Sequence, residues 1–234
     1  RSFNEGGNPD SGFTFANYKL LFRDGFQFAV GQNFESVLGS SLLIAITVAL
    51  ITVGLAYWFA RDRRRLAWRN ADLWLQLPLG ISFLTFAFGL LILTGRYIPS
   101  ILSVIWAQVF MIFPLVYSLL KTARAELGES LLEVASTLGA TAKTIFWTVE
   151  FPLMRKSIIT ALTYAMALSF GDLTAVLALS HGDLVTIPVA IYRLIGHYRF
   201  AQATALGSLF ILGAFFFFII FEIVQPHGQK KNCL

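Results

Sequence analysis

One acidic residue lies within a long apolar segment of the chain, among small and polar neighbours. The segment 157–179 is otherwise hydrophobic, and it contains Asp172 together with Ser169, Gly171 and Thr174. An ionisable side chain inside a membrane span is costly, and it usually faces the interior of a helix bundle or a pore. We therefore predict that these four residues line a translocation pathway, where a carboxylate favours a cationic substrate. The alternative is a structural role, in which Asp172 lies near the end of the span and bonds to the backbone or to an arginine.

The sequence contains none of the common motifs of enzyme active sites. The patterns GxxxxGK[ST], HExxH and GxSxG are absent, so the chain has no P-loop of its own. His181, Asp183 and His197 do not have the spacing of a known compact metal site, and surface histidines are the better interpretation. We therefore expect no catalytic residue, no metal site and no cofactor in this chain.

A second polar stretch, at 130–152, begins with a predicted short helix. Ser130 and Glu133 form a Ser-x-x-Glu capping box, which is typical of a helix start. Gly139 ends this helix, because glycine adopts the left-handed conformation at little cost. The apolar face of the helix consists of residues at helical spacing, namely Leu131, Leu132, Val134, Ala135 and Leu138.

The same stretch predicts a second short helix after the glycine. Thr141 is a suitable cap, and Pro152 limits how the helix continues. Its apolar stripe consists of Ile145, Phe146 and Val149. Two short helices joined at a glycine and held between two membrane spans indicate a docking element. The alternative is an amphipathic connector on the membrane surface.

The spacing in this stretch resembles the EAA motif of permease subunits of bacterial ABC importers. The positions that match the motif are Glu133, Ala135, Gly139 and Pro152. The positions that depart from it, although they stay apolar, are Val134, Val149 and Phe151. The resemblance implies that this loop docks on a cytoplasmic ABC ATPase dimer, which binds ATP and Mg. It also implies that Leu131, Leu132 and Leu138 are apolar anchors in a cleft of the ATPase.

The composition is that of a polytopic membrane protein. Of the 234 residues, 56% are hydrophobic and 13% are charged, whereas soluble domains carry about 25% charged residues. We predict an all-α fold, and the resemblance implies the transmembrane domain of a type I ABC importer. At about 20 residues per span, five spans are predicted at 37–60, 73–95, 99–120, 157–179 and 200–224. The coupling loop is then 121–156.

Basic residues are distributed unevenly between the loops. Twelve of the 18 Lys and Arg residues lie in three regions, which are the stretch directly after the first span, the 121–156 loop and the tail 225–234. The positive-inside rule makes these regions cytoplasmic. The arm 1–36, with an interfacial segment at 13–34, is then periplasmic. No nucleic-acid partner is expected, because the net charge of +5 is spread over short loops.

The segment 165–199 carries a further resemblance, to thiamine-importer permeases. The matching positions are Ser169, Gly171, Asp172, Ile187, Pro188, Tyr192, Ile195, Gly196, Tyr198 and Arg199. The resemblance implies thiamine as the substrate, and the iron(III) importer permeases of the same branch are the alternative. Such permeases are often fused double-length chains. Because this chain resembles a C-terminal half, we expect a further span before Arg1.

Together, the resemblances imply a multi-pass permease of the bacterial inner membrane. Its implied partners are an ABC ATPase dimer, a periplasmic or lipid-anchored substrate-binding protein, a second permease half or subunit, and membrane lipid. The alternative from another class is a secondary transporter or channel that works without an ATPase. An intramembrane enzyme is disfavoured, because the spans contain no paired nucleophile and base.

Overall fold

A computed structural model describes residues 16–22, 24–61, 71–95, 97–127 and 141–224. Helices make up nearly all of these residues, and no strand occurs among them. The all-α prediction is therefore confirmed for the described part of the chain. Of the predicted elements, the first docking helix, with Glu133 and Gly139, lies outside the described residues.

Three long helices form the framework. They are α3 (Phe34–Arg61), α6 (Ser100–Glu126) and α11 (Phe200–Val224). Each is long and apolar enough to cross a membrane. Helix α3 packs against α6, and small side chains such as Ala45, Ala49 and Ala107 are buried on these two helices. Small residues let helix backbones approach closely in the absence of water.

The predicted second span at 73–95 is broken in the structure. Helix α4 (Ala71–Gln76) runs into a 3-10 turn (Leu77–Gly80), and α5 (Phe83–Thr94) then leaves at an angle of 104°. Pro78 occupies the start of the 3-10 turn, and Ser82 is extended. Since proline cannot donate to a helical ladder and extended backbone interrupts it, one straight span cannot form here. The described helices therefore provide three crossings, or four if this bent pair crosses as one.

The predicted fourth span at 157–179 is also divided. Helix α8 (Phe151–Phe170) starts earlier than predicted, and a break separates it from α9 (Thr174–Leu179). The connection between α9 and the last span contains a further short helix, α10 (Ile187–Gly196). Helix α9 packs against α5 and α6, and α11 packs against α8 and α10.

The predicted loop at 121–156 is largely helical where the structure describes it. Helix α6 extends to Glu126. Helix α7 (Ala142–Ile145) continues through a π-helical turn (Phe146–Glu150) directly into α8. The predicted cap is confirmed, because Thr141 Oγ1 accepts a hydrogen bond from the Thr144 amide at 3.3 Å.

The sequence predicts that Pro152 limits how the second docking helix continues, and in the structure the helix continues through it. Pro152 occupies the first turn of α8, immediately after the π-helical turn. A π-helical turn changes the local hydrogen-bond pattern. The missing amide of Pro152 is therefore accommodated, and the chain stays helical from Ala142 to Phe170.

The N-terminal arm is a set of short helices packed on the bundle. They are α1 (Ala16–Lys19), a 3-10 turn (Leu20–Phe22) and α2 (Asp24–Val30). Leu21 and Phe26 are buried, whereas Phe28 is exposed. The hydroxyl groups of Tyr18 and Ser208 lie 2.8 Å apart, which joins α1 to α11. The arm is therefore held against the bundle, and its periplasmic placement remains a prediction.

The connection before α10 is fastened to the start of α3. Ser40 Oγ donates to the carbonyl of Val185 at 2.6 Å, and Ser41 Oγ accepts from the Ile187 amide at 2.9 Å. The Arg193 guanidinium donates to the carbonyl of Val30 at 2.6 Å. These bonds define one end of the bundle, which we call the α10 end.

Candidate functional site

A buried polar cluster joins α6 to the break between α8 and α9. Gln108 Nε2 donates to Asp172 Oδ2 at 2.9 Å, and Ser169 Oγ donates to Gln108 Oε1 at 2.6 Å. Gln108 is only 1% exposed and Ser169 is 5% exposed. We call these three residues the polar cluster. Both ends of the Gln108 amide are engaged, so the cluster satisfies its own hydrogen bonds as buried polar groups must.

The break in the helix explains why Asp172 reaches this position. Helix α8 ends at Phe170, and Asp172 Oδ1 accepts from the Thr174 amide at 2.9 Å. Its Oδ2 accepts from the Ala175 amide at 3.2 Å. A carboxylate in this arrangement satisfies the free amides at the start of a helix. Asp172 therefore caps α9 as well as contacting Gln108.

These contacts favour the structural alternative for Asp172 over a free charge in a pathway. Both carboxylate oxygens have donors among the described residues, and none of these donors is an arginine. Thr174 contributes its backbone amide to the cluster. Gly171 lies exposed at the end of α8, where an added Cβ would approach the Ala167 carbonyl to 3.4 Å. A role for these residues in translocation remains a prediction.

Sequence reasoning missed Gln108, although a signal was present. Gln108 is a polar amide in the middle of the apolar segment 99–120. Such a side chain needs a partner inside a bundle. Its partners lie 61 and 64 residues away along the chain, so local spacing could not identify them.

Most of the predicted ATPase-coupling residues cannot be placed. Those outside the described residues are Leu131, Leu132, Glu133, Ala135, Leu138 and Gly139. Pro152 is described, and it is exposed in the first turn of α8. The described residues on either side of this segment are the end of α6 and the start of α7. The assignment of these seven residues to ATPase coupling therefore remains a prediction.

A charged cluster lies where the flanks of this segment meet the end of α3. Glu150 Oε1 lies 3.4 Å from Arg124 Nη2, and Glu150 Oε2 lies 3.9 Å from Arg61 Nε. Arg124 Nη1 also donates to the carbonyl of Ala60 at 2.8 Å. The buried Tyr57 hydroxyl has no well-aligned hydrogen bond among the described residues. We call Tyr57, Arg61, Arg124 and Glu150 the charged cluster, and its end of the bundle the basic end.

The described residues include no group of three His, Cys, Asp or Glu side chains that could hold a metal ion. His181 Nδ1 instead lies 3.1 Å from Ser100 Oγ, at the start of α6. His181 is therefore engaged in a contact between two parts of the chain.

A cavity between α3, α8, α10 and α11 is lined by apolar residues. Its volume is about 360 Å³, and its lining consists of Phe34, Leu38, Leu42, Met166, Phe170, Ile187, Leu206, Leu209, Gly213, Phe216 and Phe217. A binding site for a charged solute needs a few convergent polar groups. The lining of this cavity provides no such groups.

Apolar helices arranged around two buried polar clusters define a multi-pass helical membrane protein. The sequence model of the family described as binding-protein-dependent transport system inner membrane component matches residues 52–228. The chain belongs to this family, because the match covers well over half of its 234 residues.

Proteins similar to this chain include permeases of several transport systems. The molybdenum transport system permease protein ModB of Azotobacter vinelandii is 31% identical over 206 residues, which are 80% of this chain and 90% of that protein. The probable sulfate transport system permease protein cysT of Chlorokybus atmophyticus is 27% identical, over 89% of this chain and 80% of that protein. The putative 2-aminoethylphosphonate transport system permease protein PhnV of Salmonella paratyphi A is 25% identical, over 86% of this chain and 78% of that protein.

The family fixes the general role of the chain. It is a non-catalytic transport subunit of the inner membrane, and ATP hydrolysis belongs to a separate subunit. Its family implies an ATPase and a substrate-binding protein as partners. The three relatives have molybdenum, sulfate and 2-aminoethylphosphonate in their names, and none has thiamine or iron. They therefore do not support the thiamine and iron(III) branch predicted from the sequence.

Proposed function

We propose that this chain forms one half of the translocation pathway of a type I ABC importer and docks the ATPase through the coupling loop 121–156, whose segment 128–140 lies between the described flanks α6 and α7. One observation carries this proposal. The ends of α3 and α6 and the start of α8 meet at the basic end, where Arg61, Arg124 and Glu150 form one cluster. The segment 128–140 is thus attached to this end through both of its flanks, which carry Arg124 and Glu150. A segment attached in this way can transmit a displacement to several spans at once.

Five spans and a cytoplasmic basic end are part of this proposal. Helices α3, α6 and α11 supply three spans, the bent pair α4–α5 a fourth, and α8 with α9 a fifth. The spatial grouping of Arg61 and Arg124 supports the orientation, because basic loops stay on the cytoplasmic side. The α10 end is then periplasmic and faces the substrate-binding protein. A second permease subunit or half completes the pathway.

For the substrate we propose a small oxyanion. The three relatives carry names of molybdenum, sulfate or phosphonate transport, and each of these solutes occurs as an oxyanion. The argument for a cation rested on a free carboxylate at Asp172, and the Gln108 and backbone contacts weaken it. Thiamine stays a second candidate because of the resemblance at 165–199.

Uptake into proteoliposomes tests both the function and the substrate. The full chain would be reconstituted with the ATPase, the binding protein and any permease partner that co-purify with it. Molybdate, sulfate, 2-aminoethylphosphonate and thiamine would then be offered one at a time, with and without ATP. We expect ATP-dependent uptake of an oxyanion. Uptake of thiamine alone would contradict the substrate, and uptake that needs an ion gradient but no ATP would contradict the importer.

A further inference from the structure

The carboxylate of Glu150 lies at the centre of three helix ends. Glu150 is only 2% exposed, although it is a charged residue near the end of a bundle. It faces Arg124 of α6 at 3.4 Å and Arg61 of α3 at 3.9 Å. A buried carboxylate is tolerated when such partners compensate its charge. Glu150 therefore connects its own helix electrostatically to both α3 and α6.

Further contacts strengthen the connection to the end of α3. The Arg124 guanidinium donates to the carbonyl of Ala60 at 2.8 Å. The Arg61 guanidinium lies over the ring of Phe146, 5.1 Å from its centroid, and Tyr57 packs edge-on against the same ring at 5.9 Å. The π-helical turn at Phe146–Glu150 thus contacts α3 through an aromatic ring and through a carboxylate.

The position of these residues along the chain is informative. Arg124 precedes the segment 128–140 and Glu150 follows it, so the ion pair joins the two flanks of the segment. The π-helical turn that carries Glu150 is an irregularity of a type that often occurs at functional sites. The Arg124–Glu150 ion pair therefore holds the two flanks of the segment together, and Arg61 links them to α3.

We propose that Glu150 is a positioning residue that makes both flanks of the segment 128–140 move together with the end of α3. A displacement imposed on the segment then reaches α3 directly, as well as α6 and α8. This inference rests on the proposed function, because it requires an ATPase that moves the segment. The inference concerns Glu150, Arg124 and Arg61, and none of these residues is a matching position of the EAA-like motif.

The alternative is a brace that only stabilises the fold. A brace would lower the unfolding temperature when removed, but it would leave the number of solute molecules transported per ATP unchanged. A positioning residue alters that ratio, because ATP is then hydrolysed without a full movement of the spans. Mutations along a coupling network alter coupling by about 2-fold to about 30-fold.

The test uses Glu150→Gln in the reconstituted complex, which removes the charge and keeps the shape of the side chain. Glu126→Gln is the matched control, because Glu126 is an exposed glutamate at the end of α6. Arg124→Lys is a conservative variant that retains the positive charge. Transported solute per ATP hydrolysed and the unfolding temperature would be measured for each variant. We expect the ratio to fall by between about 2-fold and about 30-fold for Glu150→Gln, to fall less for Arg124→Lys, and to be unchanged for Glu126→Gln.

A distance measurement gives an independent readout. Spin labels would be placed at two exposed positions, by Trp58→Cys on α3 and Thr148→Cys in the π-helical turn, with Cys233→Ser removing the natural cysteine. We expect the distribution of distances between the labels to stay unchanged on ATP addition in the parent complex. With Glu150→Gln, we expect this distribution to broaden. An unchanged ratio and an unchanged distance distribution in Glu150→Gln would overturn the inference, whatever the unfolding temperature. A parent complex without ATP-dependent transport would overturn the proposed function itself, and the inference with it.

Discussion

Gln108 in the middle of α6 donates a hydrogen bond of 2.9 Å to the carboxylate of Asp172 in the break between α8 and α9. The two residues are 64 positions apart in the chain. The same carboxylate accepts from the amide of Thr174 and so starts α9. Asp172 therefore starts α9 after the break that follows α8, and its hydrogen bond from Gln108 attaches this break to α6.

Replacing Gln108 by Ala should destabilise the protein. The substitution leaves the Ser169 hydroxyl and the Asp172 carboxylate without their amide partner, and an unsatisfied buried polar group costs about 1–3 kcal/mol. Thermal unfolding in detergent would measure the loss. Gln27→Ala is the control, because Gln27 is exposed and should change stability little. Equal unfolding temperatures for the two variants would contradict the importance of the polar cluster.

Asp172→Asn separates the structural role of Asp172 from a role as a charge in the pathway. Asparagine keeps an oxygen that accepts from the Thr174 amide, so the cap of α9 should survive. We expect Asp172→Asn to retain transport. Asp172→Ala should lose about 1 kcal/mol of stability through loss of the cap, and a further loss of about 1–3 kcal/mol is expected because the buried Gln108 amide loses its acceptor. Uptake and thermal unfolding would be measured together. A loss of transport in Asp172→Asn with normal stability would instead support the carboxylate as part of the pathway.

Tyr198 is the single non-glycine residue with a positive φ, at 59°, among the described residues. It follows α10, and its ring is 83% exposed. The left-handed conformation costs a non-glycine residue about 1–2 kcal/mol. Glycine removes this cost, but its freedom in the unfolded chain offsets about 0.5–1 kcal/mol of the gain. Tyr198→Gly should therefore raise stability by up to about 1 kcal/mol. Tyr97→Gly is the control at another exposed tyrosine, and it should not raise stability, because glycine there only adds freedom to the unfolded chain. A gain in both variants would contradict the explanation.

Gly139→Pro and Glu133→Lys should each reduce ATPase association while the chain remains in the membrane. The first removes the glycine at the corner predicted between the two docking helices, and the second reverses a charge in the predicted capping box. Co-purification of the ATPase from solubilised membranes is the measurement. Glu126→Lys makes the same charge change on an exposed residue of α6, and it should leave association intact. Normal recovery of the ATPase with both docking variants would argue against this use of the segment.

Hydropathy along the sequence was sufficient to place the long helices. The predicted span 200–224 coincides with α11, and the predicted span 37–60 lies within α3. In a membrane, a long uninterrupted apolar segment forms a helix, because every backbone amide must be hydrogen-bonded within the segment.

The breaks within spans were not predicted. Pro78 and Gly171 are residue types at which a helix can break, but apolar segments continue on either side of them. Whether a helix kinks or breaks at such residues depends on partners that satisfy the freed backbone groups. For Gly171 the partner is the Asp172 carboxylate with Gln108 behind it, and the sequence does not indicate that contact.

Of the candidate sites, the sequence identified Ser169 and Asp172 but missed Gln108 and Glu150. Glu150 occupies an unspecified position of the EAA-like pattern, so the pattern gave it no weight. Its importance comes from the meeting of three helix ends, which depends on tertiary packing.

If a separate ATPase drives this chain, the two proteins must associate, and co-purification measures that association. A tagged full-length chain would be isolated from detergent-solubilised membranes, its partners identified by mass spectrometry, and ATP hydrolysis measured with and without the binding protein and solute. We predict that a P-loop ATPase co-purifies and that the loaded binding protein stimulates hydrolysis. Recovery of the intact chain from the membrane without any ATPase would be evidence against an ATP-driven importer.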